Sequence, residues 1–261
     1  MCLILFALDE HPDYPLVLAA NRDEFLARPT APAGPWRDHP DILGGRDLTA
    51  GGTWLAVSRR GRLAAVTNVR EPGRFRSDAR SRGELVTGLL DVSQPAQSYL
   101  GAVDGALYNG YNLLAYDGQE LLYGSNRSED GHRVVTSGVH GLSNASLDTP
   151  WPKVVSGRSD LAGALRQLSG DSPDPEPFFA ILADRDQAGD AELPETGVGL
   201  DLERRLSSRF IVSEGYGTRS STVVLIHRDG TCHLWERTFP SRGGSAEDRQ
   251  FRIPFPLRIP V

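Results

Sequence analysis

The apolar residues of this chain fall into short paired runs, each pair joined by turn-forming residues. Strands that arrive as hairpins dictate antiparallel sheets, so this pairing limits the fold more than any other feature. The first pair runs from Cys2 to Leu8 and from Leu16 to Ala20, broken by Asp9-Glu10-His11-Pro12-Asp13-Tyr14-Pro15. It reads as a hairpin apolar on both faces, ending in the polar block Asn21-Arg22-Asp23-Glu24. Thr53–Ser58 and Leu63–Asn68 pair about Arg59-Arg60-Gly61. Tyr111–Tyr116 and Glu120–Tyr123 pair about Asp117-Gly118, and Ser221–His227 and Thr231–Arg237 about Asp229-Gly230. A two-residue loop at this last turn would set His227 opposite Cys232 on one face. Both are metal-ligand types, but no third ligand is identifiable nearby, and ordinary sheet packing is the favoured reading.

Between the hairpins lie helical stretches. Ser81-Arg82-Gly83-Glu84 has capping-box spacing before an apolar run, so a helix is expected from there to about Asp91. Others are expected after Pro95, from Pro150 to Leu168 and from Asp174 to Ala183, with one more strand over His132–Ser137. Arg28–Gly52 and Gly138–Ala145, rich in turn residues, read as loops. Asp184–Gly199 reads as a flexible flap. The last residues, about 241–261, hold three prolines from Phe251 onward and read as an extended strap. Strands and helices are segregated rather than alternating, and no linker divides the chain. The expectation is one α+β domain over residues 1–261 with mostly antiparallel sheets.

Composition excludes several functions. The net charge of −6 argues against nucleic acid as the main partner. No apolar run approaches the roughly 18–20 residues of a membrane span, and the N-terminal run lacks the features of a signal peptide. The expected location is therefore the cytoplasm. Two cysteines cannot form a disulfide framework, and Lys153 is the sole lysine, with no P-loop pattern around it. The run from Arg70 to Arg82 carries five arginines, at 70, 74, 76, 80 and 82. It is either a solvated loop or a rim that attracts an anionic head group.

Cys2 has a special chemical option. If Met1 is removed, the thiol and a free α-amine sit on one residue, with ordinary pKa values of roughly 8.5 and 7.7–8.0, so the amine can take the thiol's proton. The plain alternative is a small buried hydrophobe.

Six blocks then add up. Cys2, Ala20-Asn21-Arg22-Asp23-Glu24, Gly51-Gly52-Thr53-Trp54, Val66-Thr67-Asn68-Val69-Arg70, Gly141-Leu142-Ser143-Asn144 and Tyr216-Gly217-Thr218-Arg219-Ser220-Ser221-Thr222 together resemble the NRDE family, also called the transport and Golgi organisation protein 2 family. That family in turn resembles the N-terminal-nucleophile hydrolases of the penicillin V acylase and choloylglycine hydrolase branch. The resemblance implies a four-layer αββα sandwich with Cys2 as nucleophile and its α-amine as base. It implies Arg22 beside the thiolate, Asn68 and Asn144 at the oxyanion hole, and Arg219 as a second basic residue. In the hydrolase branch two residues separate the arginine from its partner aspartate, whereas Arg22 and Asp23 are adjacent here. Neighbours on a strand face opposite sides, so Asp23 is either catalytic or a structural residue bonded to loop backbone. Trp54, Arg70 and His140 are the substrate-binding candidates.

The leading expectation is an N-terminal-cysteine amidohydrolase-like protein, acting on a carbon–nitrogen bond of a non-peptide amide or on an acyl compound through a Cys2 acyl-enzyme. The alternative is a binding or trafficking protein for haem, an acyl lipid or coenzyme A on the same fold. In that case His140 or His132 would be an axial ligand. No resident cofactor and no metal site are expected.

Overall fold

A computed structural model describes residues 2–169, 173–240 and 245–258. Strand β1 (Cys2–Leu8) and strand β2 (Leu16–Phe25) form the first hairpin, in which Cys2 lies opposite Arg22. The expected end at Ala20 falls inside β2, so the Asn21–Glu24 block belongs to the strand itself. Alternation then assigns the two faces. Leu3, Leu5, Ala7, Val17 and Ala19 face one apolar layer, while Ile4, Phe6, Leu8, Leu16, Leu18 and Ala20 face another.

Next come β3 (Thr30–Pro35), β4 (Ile42–Asp47), β5 (Leu55–Ser58) and β6 (Arg62–Asn68), then helices α1 (Gly83–Asp91) and α2 (Ala96–Ala102). Strands β7 (Tyr111–Tyr116), β8 (Leu121–Ser125), β9 (His132–Val134) and β10 (Gly138–Leu142) follow. Helices α3 (Pro152–Leu165), α4 (Glu176–Leu182) and α5 (Leu200–Ser207) precede β11 (Val212–Ser213), β12 (Tyr216–His227), β13 (Thr231–Thr238) and β14 (Glu247–Pro254). One antiparallel sheet has the order β10-β1-β2-β12-β13-β14, with β11 added to β12; the other is the meander β3 to β9.

Three apolar layers separate four structural ones. Ile4, Phe6, Leu18, Val57, Leu114 and Val224 fill the space between the sheets. Leu5, Val17, Leu161 and Phe178 join the first sheet to α3 and α4. Ala64, Leu85, Leu89 and Leu113 join the second sheet to α1 and α2. The expected αββα sandwich is therefore present. Gly157 permits the close approach of α3 to β1: a Cβ there would stand 2.7 Å from a Leu5 methyl. Each large side chain buried in these layers contributes about 1.5–3 kcal/mol.

Several local expectations are corrected. The supposed loop Arg28–Gly52 contains β3 and β4. Gly44 is a strand residue because a Cβ would meet Ala56 at 2.6 Å, and Gly45 because it would meet the Trp54 ring at 2.3 Å. Close packing, not turning, explains these glycines. The supposed loop Gly138–Ala145 is mostly β10, hydrogen-bonded to β1. At the last hairpin His227 pairs with Thr231, and Cys232 with Ile226, so the loop has three residues and His227 and Cys232 face opposite sides. Gly230 takes φ +83° there and Asp229 accepts from the Thr231 N–H, which accounts for the one-residue shift. Helix α1 starts where expected without a capping box: Ser81 Oγ accepts from Gly83 N–H, while Glu84 pairs with Arg80. Helix α5 has no counterpart in the sequence reading. Of the C-terminal strap, residues 247–254 form the edge strand β14; residues 241–244 and 259–261 lie outside the described residues.

Candidate active site

Cys2 opens β1 at the end of the sandwich, where a cavity of about 500 Å³ is lined by Cys2, Arg22, Glu24, Trp54, Asn68 and Arg82, among others. Phe25 and Phe75 stand exposed at its rim. The hairpin register brings Arg22 beside Cys2, since cross-strand partners lie about 4.5–5.5 Å apart. The Arg22 guanidinium is only 5% exposed; it stacks over Trp54 at 4.2 Å and donates to Thr30 Oγ1 at 3.2 Å. Its nearest carboxylate, Glu24, is 3.6 Å away.

Asn68 ends β6 and lines the cavity, and among the described residues its carboxamide has no protein partner. The turn after β10 is stitched to this strand. Asn144 Nδ2 donates to Asn68 O at 2.8 Å, Arg70 N–H to Asn144 O at 2.7 Å, and Thr67 Oγ1 to Ser143 O at 2.7 Å. Ser143 Oγ in turn donates to the Cys2 carbonyl at 3.4 Å. Asn144 itself is buried behind the cavity wall.

Asp23 points away from Arg22, as strand alternation requires, and accepts from Thr218 Oγ1 at 2.7 Å, a side chain on β12 rather than loop backbone. Tyr216 Oη donates to the Asp23 carbonyl. Burial pushes the Asp23 carboxyl up, and the positive amino terminus, then Lys153, pull it back. Burial likewise pushes the Cys2 thiol up, opposed by the amino terminus and by Arg22, with Asp23 acting against them. Met1, which precedes the thiol, lies outside the described residues. Lys153 is buried on α3, donates to Leu206 O at 2.8 Å, and is pushed down to about 8 by burial against the pull of Asp23.

Other candidates are placed elsewhere. Arg219 does not line the cavity: its Nη1 donates to the carbonyls of Phe25, Leu26 and Arg28 and so holds the turn after β2. Arg70 is buried in an ion pair with Glu203 and stacks on Trp151 at 4.6 Å. It does not line the main cavity but a side pocket of about 170 Å³, which shares Asn68, Phe75 and Arg82 with that cavity. His140 stacks on Phe6 and binds Asp148 at 2.7 Å. Its register partner Phe6 is about 13 Å along β1 from Cys2, so His140 is outside the cavity. His132 belongs to β9, at the far edge of the other sheet. Among the described residues, no three His, Cys, Asp or Glu side chains are grouped to hold a metal ion. Sequence reasoning missed Arg82 as a cavity residue; it was one arginine of five in a run, and nothing in the spacing marked it out.

Two antiparallel sheets between helical layers, with an amino-terminal strand delivering a cysteine to the end of the sandwich, define the N-terminal-nucleophile hydrolase fold. A solved structure of this fold, the Caenorhabditis elegans N-acylethanolamine-hydrolyzing acid amidase ortholog, matches with a TM-score of 0.50 over 86% of this chain and 92% of that one, at 9% identity. The family model for Transport and Golgi organisation 2 matches residues 1–241, and the chain belongs to that family. The Homo sapiens Transport and Golgi organization protein 2 homolog is 39% identical over 259 residues, covering 91% of this chain and 93% of that protein. The Drosophila melanogaster Transport and Golgi organization protein 2 is 26% identical, covering 91% and 92%. Among the described residues, no helix is long and apolar enough to cross a membrane.

Proposed function

We propose that the chain is an N-terminal-cysteine amidohydrolase that acts on a non-peptide amide or other acyl compound through an acyl-enzyme at Cys2. The observation that carries this reading is the register of the first hairpin, which sets the thiol against Arg22 in an open cavity. Removal of Met1 would free the α-amine at the same place. The amine takes the Sγ proton, and the thiolate attacks the carbonyl carbon to form a tetrahedral adduct. Arg22 stabilises the thiolate. The carboxamide of Asn68, without a partner among the described residues, is the donor best placed for the oxyanion, an effect of about 3 kcal/mol per hydrogen bond. Asn144 positions Asn68 by bonding its carbonyl. Asp23, which lines the same cavity as Cys2, holds the ammonium once it is protonated. The ammonium then returns its proton to the leaving amine, and water resolves the acyl-enzyme.

Intact mass before and after brief alkylation at neutral pH tests this, with Cys2→Ala alongside. Loss of Met1 and fast labelling that vanishes in C2A are expected. Retained Met1 overturns the mechanism. The competing reading, a binding protein for haem or an acyl lipid, draws on the aromatic rim of Phe25 and Phe75. No histidine lines the cavity among the described residues, so haem would lack the axial ligand expected from His140 or His132.

A further inference from the structure

Each arginine of the run from 70 to 82 has found a carboxylate, except one. Arg70 pairs with Glu203, Arg74 with Glu71, Arg76 with Asp78 and Arg80 with Glu84. Of the other cavity arginines, Arg28 pairs with Asp47, and Arg22 has Glu24 at 3.6 Å. Arg82 has no carboxylate partner among the described residues; its single hydrogen bond runs from Nη1 to the carbonyl of Gly110 at 3.0 Å. That bond fixes the guanidinium and leaves Nε and Nη2 without an acceptor among the described residues.

The position of Arg82 is built, not incidental. It immediately precedes α1, whose first residue Gly83 lies backbone to backbone against Gly52 and Thr53. A Cβ on Gly52 would meet Gly83 at 2.7 Å, and one on Gly83 would meet the Thr53 nitrogen at 2.9 Å. These contacts clamp Arg82 at the junction of the main cavity and the side pocket, where it lines both. Burial pushes its guanidinium down, and Cys2 is the largest of the charges acting on it. A desolvated guanidinium with one edge unused is the form that takes a planar carboxylate through two parallel hydrogen bonds.

We propose that Arg82 binds a carboxylate of the substrate, so that the cavity selects acyl compounds bearing that anion within one cavity's span of the bond presented to Cys2. This rests on the reading of Cys2 as nucleophile and adds the substrate class to it.

The test compares iodoacetate, which carries a carboxylate, with the neutral iodoacetamide, by the rate at which each labels Cys2 in the full chain. The same thiolate attacks both and displaces iodide from each, so their ratio cancels any change in thiolate fraction. The ratio is expected to exceed that of cysteine in an unstructured peptide. It should fall about tenfold in Arg82→Gln, the size of one charge-assisted hydrogen bond, and recover only in part in Arg82→Lys. Succinate is expected to protect Cys2 from iodoacetamide at lower concentration than inorganic phosphate. A ratio unchanged in R82Q overturns the proposal, and better protection by phosphate overturns the choice of carboxylate. If neither reagent labels Cys2 faster than the peptide, the nucleophile reading itself fails. Should R82Q not fold, R82K with the wild type decides by the same ratio.

Discussion

Strand β2 carries two consecutive pairs of polar residues, and its two faces treat them differently. Toward the helical layer, Asn21 donates to the carbonyls of Leu182 and Arg209, both at 2.8 Å, and accepts from Ser221 Oγ at 2.6 Å, while Asp23 accepts from Thr218. Toward the cavity, Arg22 has one hydrogen bond, to Thr30, a stacked indole and a carboxylate at 3.6 Å. The first face is bonded chiefly for scaffold, with Asp23 alone of that face also lining the cavity. The second holds a cation in place with donors to spare, which is how a protein prepares a site for something other than itself. Asn21 and Arg22, one position apart in sequence, thus belong to different tasks, and the pleat separates them.

Substitutions can break that contrast. Cys2→Ala should abolish labelling by a neutral alkylator while leaving the thermal midpoint nearly unchanged, because the thiol is half-buried at a strand end; a shifted midpoint with labelling retained would show Cys232 to be the reactive thiol. Behind the scaffold face, Glu203→Gln leaves the Arg70 cation buried without its partner. A loss of about 3–5 kcal/mol is expected in chemical denaturation, with the labelling rate of the folded fraction unaltered. Asn21→Ala strips partners from two carbonyls and a hydroxyl and should cost about 2–3 kcal/mol, again without changing Cys2 reactivity. Arg22→Gln should do the reverse: labelling near neutral pH about tenfold slower as the thiol loses its cation.

The smallest effect is in pH. The hydrogen bond to Asp148 pushes His140 up, and Asp148, although burial works against it, is held down by His140. The imidazole's contribution is complete below its unfolded value of 6.5 and is lost as pH rises through the raised folded value. The carboxylate's is complete above 3.8 and is lost as pH falls through the lowered one. The pair should therefore add about 1 kcal/mol between these limits. His140→Gln should flatten that part of the stability profile, and an unchanged profile would assign it to other groups.

Much of this was legible in the chain. The paired apolar runs determined antiparallel sheets, because a strand apolar on both faces must be covered on both, and the turn residues marked most hairpins. Cys2 and the Arg22 block could be placed together because a hairpin register is a local property. Other features required the assembled structure. Gly44, Gly45 and Gly141 look like turn residues in sequence. They are strand residues because Ala56, Trp54 and Val154 leave no room for a Cβ. Arg219 and His140 looked like site residues by the blocks around them, yet one braces a turn and the other sits four residues up the sheet. Arg82 looked like any of five arginines until the neighbours of the other four were known. Sequence by itself determined the hairpins and the chemistry available at Cys2, since both depend on residues near in the chain. Which charges remain unpaired was decided only by tertiary structure, because a carboxylate 133 positions away, as Glu203 is from Arg70, can cancel one arginine and leave its neighbour free.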